Sequence, residues 1–115
     1  MLASTIWIAI GGAVGSVSRF WLSLLFDMLL PSVFPWATVV TNITGSFAIG
    51  LVSALPMGML PRQFLMVGVL GGFTTFSAFS LDALTLWERG QPGLAAAYVA
   101  GSVLLSLAAV ALGFA

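Results

Sequence analysis

The sequence predicts an all-α integral membrane protein of four transmembrane helices, and three observations carry that prediction. The chain is 61% hydrophobic and 5% charged, with a mean hydropathy of +1.20, far from the roughly one-quarter charged composition of soluble domains. Its only charged side chains are Arg19, Asp27, Arg62, Asp82, Glu88 and Arg89. Prolines, glycines and these charges cut the apolar sequence into four stretches, each close to the ~20 residues that a bilayer crossing needs. The spans run over about 4–26, 35–55, 62–87 and 93–114, forming one membrane domain over 1–115 with no room for a soluble one.

The first span has no charged region ahead of it and no Ala-x-Ala cleavage pattern, so it reads as a retained helix rather than a signal peptide. It carries Gly11, Gly12, Gly15 and Ser16. Gly11 with Gly15, and Gly12 with Ser16, are small-xxx-small pairs that favour close helix packing. Arg19 follows one turn later, deep enough to be costly unless it snorkels, pairs or faces water. In the last case it would attract anions to a vestibule. Asp27, Pro31 and Pro35 end the span.

The second span sets Thr38, Asn42, Gly45, Ser46 and Ile49 on one face by three-and-four spacing. Asn42 is the residue there that most needs a partner. Its amide either glues helices together or donates to an anion. Pro56, Gly58 and Pro61 close this span and Arg62 leads into the next.

The third span contains Gly-Gly-Phe-Thr-Thr-Phe-Ser-Ala-Phe-Ser from Gly71 to Ser80. Paired glycines and threonines weaken helix, and irregular backbone at membrane depth survives only where protein buries it or a cavity meets it. The sequence therefore predicts a third helix broken near Gly71 to Thr75, with a glycine-rich packing face as the competing reading. Such a break frees carbonyls, which are hard oxygen ligands for a cation such as Na⁺. Beyond it, Phe76 and Phe79 are expected to share a face, as are Ser77 and Ser80. Positive ring edges together with hydroxyl and amide protons would replace water around a small anion without a fixed charge.

A turn at Glu88-Arg89-Gly90-Gln91-Pro92 precedes the fourth span, whose Ala95, Ser102, Ser106, Ala109 and Gly113 form a narrow small-residue stripe. The stripe serves packing, or presents the Ser102 and Ser106 hydroxyls to the same path.

Several functions are excluded by composition. The chain has no cysteine and no histidine, which removes thiolate nucleophiles, the usual zinc sites and the commonest general base. No embedded acid–base pair supports an enzyme, and no basic patch supports nucleic-acid binding. Four spans put Arg62 on one side of the membrane and Arg19 and Arg89 on the other. So weak a bias is compatible with insertion in both orientations and with an antiparallel homodimer.

Three motifs together resemble the Fluc, or CrcB, family of small membrane fluoride channels. They are the run from Gly11 to Phe20 ending in Arg19, the segment from Thr38 to Phe47 around Asn42, and the stretch from Gly68 to Asp82. The resemblance covers essentially the whole chain. It implies an antiparallel, dual-topology homodimer in the bacterial inner membrane, with two pores that let fluoride leave the cell passively and confer fluoride resistance. It further implies pore roles for Phe76, Phe79 and Asn42, with Ser77, Ser80 and Thr38 lining or approaching the path and Ser102 and Ser106 as pore serines. By the same resemblance Arg19 lies near the vestibule, and the Gly71 and Thr74 carbonyls of both subunits hold a central structural Na⁺. The chain departs from the family pattern at Ala78, Asp82 and Phe20, where threonine, glutamate and tyrosine are usual. Two other functions fit a chain of this size: a proton-coupled exporter of the small multidrug type, and a non-transporting membrane assembly subunit. The first needs a carboxylate within the first span, where none precedes Asp27. The second needs none of the polarity around Asn42.

Overall fold

The computed structural model describes all residues from Met1 to Ala115. Helix is the only regular secondary structure: α1 spans Leu2–Leu29, α2 Trp36–Ala54, α3 Met59–Arg62, a π-helix Gln63–Leu70, α4 Gly71–Phe73, α5 Ser77–Glu88 and α6 Pro92–Phe114. Four runs are long and apolar enough to cross a membrane: Leu2–Leu29, Trp36–Ala54, Met59–Glu88 and Pro92–Phe114. The molecule extends 47 Å along its longest axis, enough for the ~30 Å of a bilayer's hydrocarbon.

The connections are closed by backbone chemistry. After α2, Arg62 turns back so that Nη2 donates to the Leu55 carbonyl at 2.8 Å and Nη1 to the Ser53 carbonyl at 3.4 Å. A single basic side chain thereby satisfies carbonyls that a helix end leaves without partners. After α5, Gly90 takes φ +74°. Its N–H reaches the Trp87 carbonyl at 3.1 Å, and the Gln91 N–H reaches that of Leu86 at 3.0 Å. This paired closure requires a left-handed residue, which glycine supplies cheaply. Pro92 then opens α6, where its missing N–H costs nothing.

Glycine governs how the helices meet. The most extensive interface is α2 on α6, followed by α1 on the π-helix. A methyl at Gly11 would stand 2.6 Å from the Phe64 carbonyl oxygen, and one at Gly15 would overlap the Val69 carbonyl. Gly50 and Gly113 perform the same service between α2 and α6, against the carbonyls of Val110 and Phe47. Backbones thus touch where no side chain intervenes, and dispersion and weak Cα–H contacts replace the hydrophobic drive that lipid removes. The first of the two small-residue pairs, Gly11 with Gly15, lies in this contact. Gly12 has open space where its own Cβ would be.

The third crossing is the irregular one. Gly71–Phe73, which the sequence places in the non-helical stretch, is a turn of α-helix, and it follows eight residues of π-helix. The residues without helical assignment are Thr74 to Phe76, with Thr74 extended at φ −81°, ψ 159°. The glycines stay helical because Gly68 and Gly72 are needed for contact with α1: a methyl at Gly72 would meet the Gly12 carbonyl at 2.6 Å. The departure from helix falls on the threonines instead, whose hydroxyls can replace the lost backbone bonds.

Only 14 of 115 residues are buried, so most of the apolar surface must be covered by something other than this chain. The buried cluster is Val39, Phe79, Leu86, Ala95 and Tyr98, between α2, α5 and α6. The packing makes a discriminating prediction. Gly15→Ala should lower stability in detergent by about 1–3 kcal/mol through overpacking. Gly101→Ala, which meets no atom within 4 Å, should be neutral or stabilising by up to about 1 kcal/mol. Thermal unfolding of the two variants side by side checks this, and equal effects would show that the close approach is not what Gly15 is for.

Candidate functional site

The face that α2 presents by its spacing faces a cavity. Asn42, Gly45, Ser46 and Ile49 line a hollow of about 500 Å³, together with residues of the third crossing from Leu70 to Phe79 and with Ser102, Val103, Ser106 and Leu107 of α6. None of its fourteen lining residues is charged. Phe76, Val103 and Leu107 are 77%, 44% and 60% exposed, so the hollow opens as a groove on the protomer's own surface.

Asn42 sits where helix is lost. Its Oδ1 accepts the Thr75 N–H at 2.9 Å and its Nδ2 donates to the Thr75 carbonyl at 3.0 Å. The side-chain amide pairs with one residue's backbone as a neighbouring strand would, satisfying both groups that the missing helix leaves open. One of the two Nδ2 hydrogens is then uncommitted to Thr75. Helix gluing and donation to a guest were the two sequence readings of Asn42, and this geometry uses the amide for the first while leaving a hydrogen for the second.

The threonines complete the local bonding. Thr74 N–H and Thr74 Oγ1 both donate to the Leu70 carbonyl, at 3.0 Å and 2.9 Å. Thr75 Oγ1 accepts the Ala78 N–H at 3.1 Å, doing for the start of α5 what a capping hydroxyl does. In an unbroken helix the amides of Thr75 and Ala78 would bond the carbonyls of Gly71 and Thr74. Here both amides have gone to side-chain oxygens. The Gly71 and Thr74 carbonyls therefore lack their usual donors, and both residues line the cavity.

The aromatic pair comes together as the sequence suggests, but not as two positions of one helix. Phe76 precedes α5 and is exposed, whereas Phe79 is within α5 and buried. Their ring centroids lie 5.5 Å apart, tilted by 45°. Phe79 in turn lies 5.1 Å from Tyr98. Ser102 is 5% exposed and lines the cavity, and its Oγ has no hydrogen-bond partner. Ser106 lines the same wall, one turn along α6.

Three expected path residues, and Arg19 expected near the vestibule, stand outside this cavity in the protomer. Ser80 is exposed and donates to the Phe76 carbonyl at 2.9 Å. Ser77 is exposed, 3.4 Å from the Thr75 hydroxyl. Neither lines the cavity, because hydroxyls early in α5 turn back on the non-helical residues before it. Arg19 is partly buried outside the cavity, its Nε without a partner. Thr38 donates to Asp82 Oδ2 at 2.8 Å and borders a separate hollow of about 330 Å³ that also reaches Asp27.

Sequence reasoning passed over Tyr98. Its hydroxyl donates to the same Asp82 Oδ2 at 3.1 Å, and the residue is fully buried. A lone tyrosine in an apolar span was the available signal, since a buried phenol seeks a polar partner. Asp82 thus has two hydroxyl donors, one from α2 and one from α6, and the knot they form lies behind the Phe79 ring.

The chain's similarity to known proteins agrees with this architecture. It is 51% identical over 109 residues to a protein of Paracoccus denitrificans named fluoride-specific ion channel FluC, covering 92% of this chain and 87% of that one. Proteins of the same name from Cereibacter sphaeroides and Rhodospirillum centenum are 49% and 50% identical, over 100% and 94% of this chain and 94% and 90% of theirs. The family profile described as CrcB-like protein, Camphor Resistance (CrcB), matches residues 6–114. With that match over nearly its whole length, the chain is a multi-pass membrane protein that belongs to the CrcB family.

Proposed function

We infer that this protein is a fluoride-selective channel of the bacterial cell membrane, which lets F⁻ leave the cytoplasm passively. The observation that carries the reading is a cavity furnished with hydrogen-bond donors and ring edges but with no charge. Fluoride is small and strongly hydrated, so a pathway must replace part of its water. The free hydrogen of Asn42, the unpartnered Ser102 hydroxyl, Ser106 and the edges of Phe76 and Phe79 are suited to that replacement. Being neutral, they also let the ion go, which conduction requires. An arginine in the same place would hold it. A proton-coupled exporter would place a carboxylate in the transport cavity, and none lines this one.

The working unit in this reading is an antiparallel homodimer inserted in both orientations, with two pores. The groove's exposed wall at Phe76, Val103 and Leu107, and the small share of residues buried within one protomer, support completion by a second copy. The third crossing is then a broken helix with two roles. The Gly71 and Thr74 carbonyls, short of donors, would hold a structural Na⁺ at the dimer centre as hard oxygen ligands. Phe76 and Phe79 form this crossing's part of the pore wall, and Arg19 lies near the aqueous approach. The Asp82 knot with Thr38 and Tyr98 holds Phe79 from behind, so Thr38 contributes by fixing the wall.

Three outcomes are expected. Liposomes containing only this purified chain should release fluoride far faster than chloride, without a pH gradient; release that depends on such a gradient would remove the channel reading. Phe76→Ile or Phe79→Ile should abolish release, with Phe76→Ile leaving the fold intact because the ring is exposed. Undiminished release in both would end the ring-edge argument. Because the chain lacks cysteine, a single Gln91→Cys reports orientation, and an impermeant thiol reagent should label about half of it in sealed vesicles if both orientations insert.

A further inference from the structure

Gly45 lies three residues after Asn42, on the same face of α2, and is buried against Thr74. A methyl at position 45 would overlap the Thr74 Cγ2 methyl and stand 3.5 Å from the Phe73 ring. In many contacts the far end of a side chain simply swings away. Thr74 is not free to do so. Its Oγ1 is held by the Leu70 carbonyl at 2.9 Å, and on a β-branched residue the direction of one branch fixes the other. Rotating the methyl out of the Gly45 seat would withdraw that hydroxyl from Leu70.

The next peptide is held from the same helix. Asn42 Oδ1 takes the Thr75 N–H, and the peptide joining Thr74 to Thr75 is trans and planar, so its carbonyl must point opposite to that N–H. Two points on α2, a side-chain amide at 42 and a missing side chain at 45, thus fix both ends of one residue of irregular backbone. The consequence is that the Thr74 carbonyl is aimed away from α2, with Phe76 following two residues on.

We propose that Gly45 is a positioning residue for conduction: its absent side chain seats the Thr74 methyl and so sets the direction of the Thr74 carbonyl and of the Phe76 ring behind it. The proposal rests on the channel reading for its functional consequence, and on the geometry alone for its structural one. Nothing in it requires Gly45 to touch the ion.

Second-site rescue tests it. Serine at position 74 keeps the hydroxyl and drops only the methyl. Gly45→Ala should slow fluoride release from liposomes by about tenfold or more, because the overpacked contact displaces Thr74. In a Thr74→Ser background the same Gly45→Ala change should cost no more than about twofold, whatever Thr74→Ser does by itself. A parallel cycle on melting temperature in detergent should show the same coupling, and if Gly45→Ala alone cannot be recovered folded, recovery of the double variant reads it instead. Equal losses in the two backgrounds, or no loss with Thr74 present, would overturn the seat. An unaltered chain that releases no fluoride would sink the channel reading, and the melting-temperature cycle would then decide the seat by itself.

Discussion

Backbone polar groups inside a bilayer have no water to bond, and that constraint organises this protein around the pairing of Asn42 with Thr75. A crossing helix normally meets the constraint within itself. The third crossing does not do so throughout, since Thr74 is extended and Thr74 to Phe76 lie between α4 and α5. Side chains supply part of what is missing: Asn42 pairs with both backbone groups of Thr75, and the Thr75 hydroxyl accepts the Ala78 N–H. Removing the Asn42 amide would strand a donor and an acceptor together, at a cost of about 1–3 kcal/mol each. The same substitutions leave the carbonyls of Gly71 and Thr74 without their usual helical donors.

Packing follows from that arrangement. A π-helix over Gln63–Leu70 precedes the irregular residues, and such wide turns occur disproportionately at functional places. The glycines of α1 let the backbone of this stretch rest directly on Gly11 and Gly15, while Gly45 of α2 receives the Thr74 side-chain methyl from the other side. The third crossing is therefore held by backbone contact on the α1 side and by the Asn42 amide and the Gly45 seat on the α2 side. Rigid support of this sort is what a site needs if ring and carbonyl positions are to matter at the scale of a small ion.

The sequence made much of this legible, for reasons that differ by residue. Four crossings are plain because length and hydropathy suffice to mark them. The α2 face through Asn42, Gly45, Ser46 and Ile49 follows from helical spacing alone, and all four line the cavity. Spacing misleads wherever the helix it presumes is absent or reset. Ser77 and Ser80 are three apart, as Phe76 and Phe79 are, yet Phe76 lies outside α5 and the serines bond back towards residues 75 and 76. Thr38 keeps its place on the α2 stripe but is captured by Asp82. Propensity put Gly71 out of the helix, and close contact of Gly72 with α1 kept that turn in it. Tyr98 and its link to Asp82 depend on contacts between distant segments, which no local pattern carries.

The distribution of charge gives the arrangement its logic. With six charged residues in 115, the chain could have placed an arginine in the cavity and obtained a strong anion site. It placed none there. A fixed cation in low dielectric attracts an anion by several kcal/mol even at an effective dielectric constant near 20, and a well of that depth slows departure as much as it favours arrival. Neutral dipoles offer a shallower well, but only if they are oriented beforehand, because reorganising them would consume the small gain. Orientation is what the surrounding bonds provide: Thr75 fixes the Asn42 plane, and Tyr98, tied to Asp82, packs against Phe79. In the channel reading, the absence of charge from the cavity and the density of backbone repair beside it are one requirement: weak donors can serve a hard anion only where the protein has already fixed their direction.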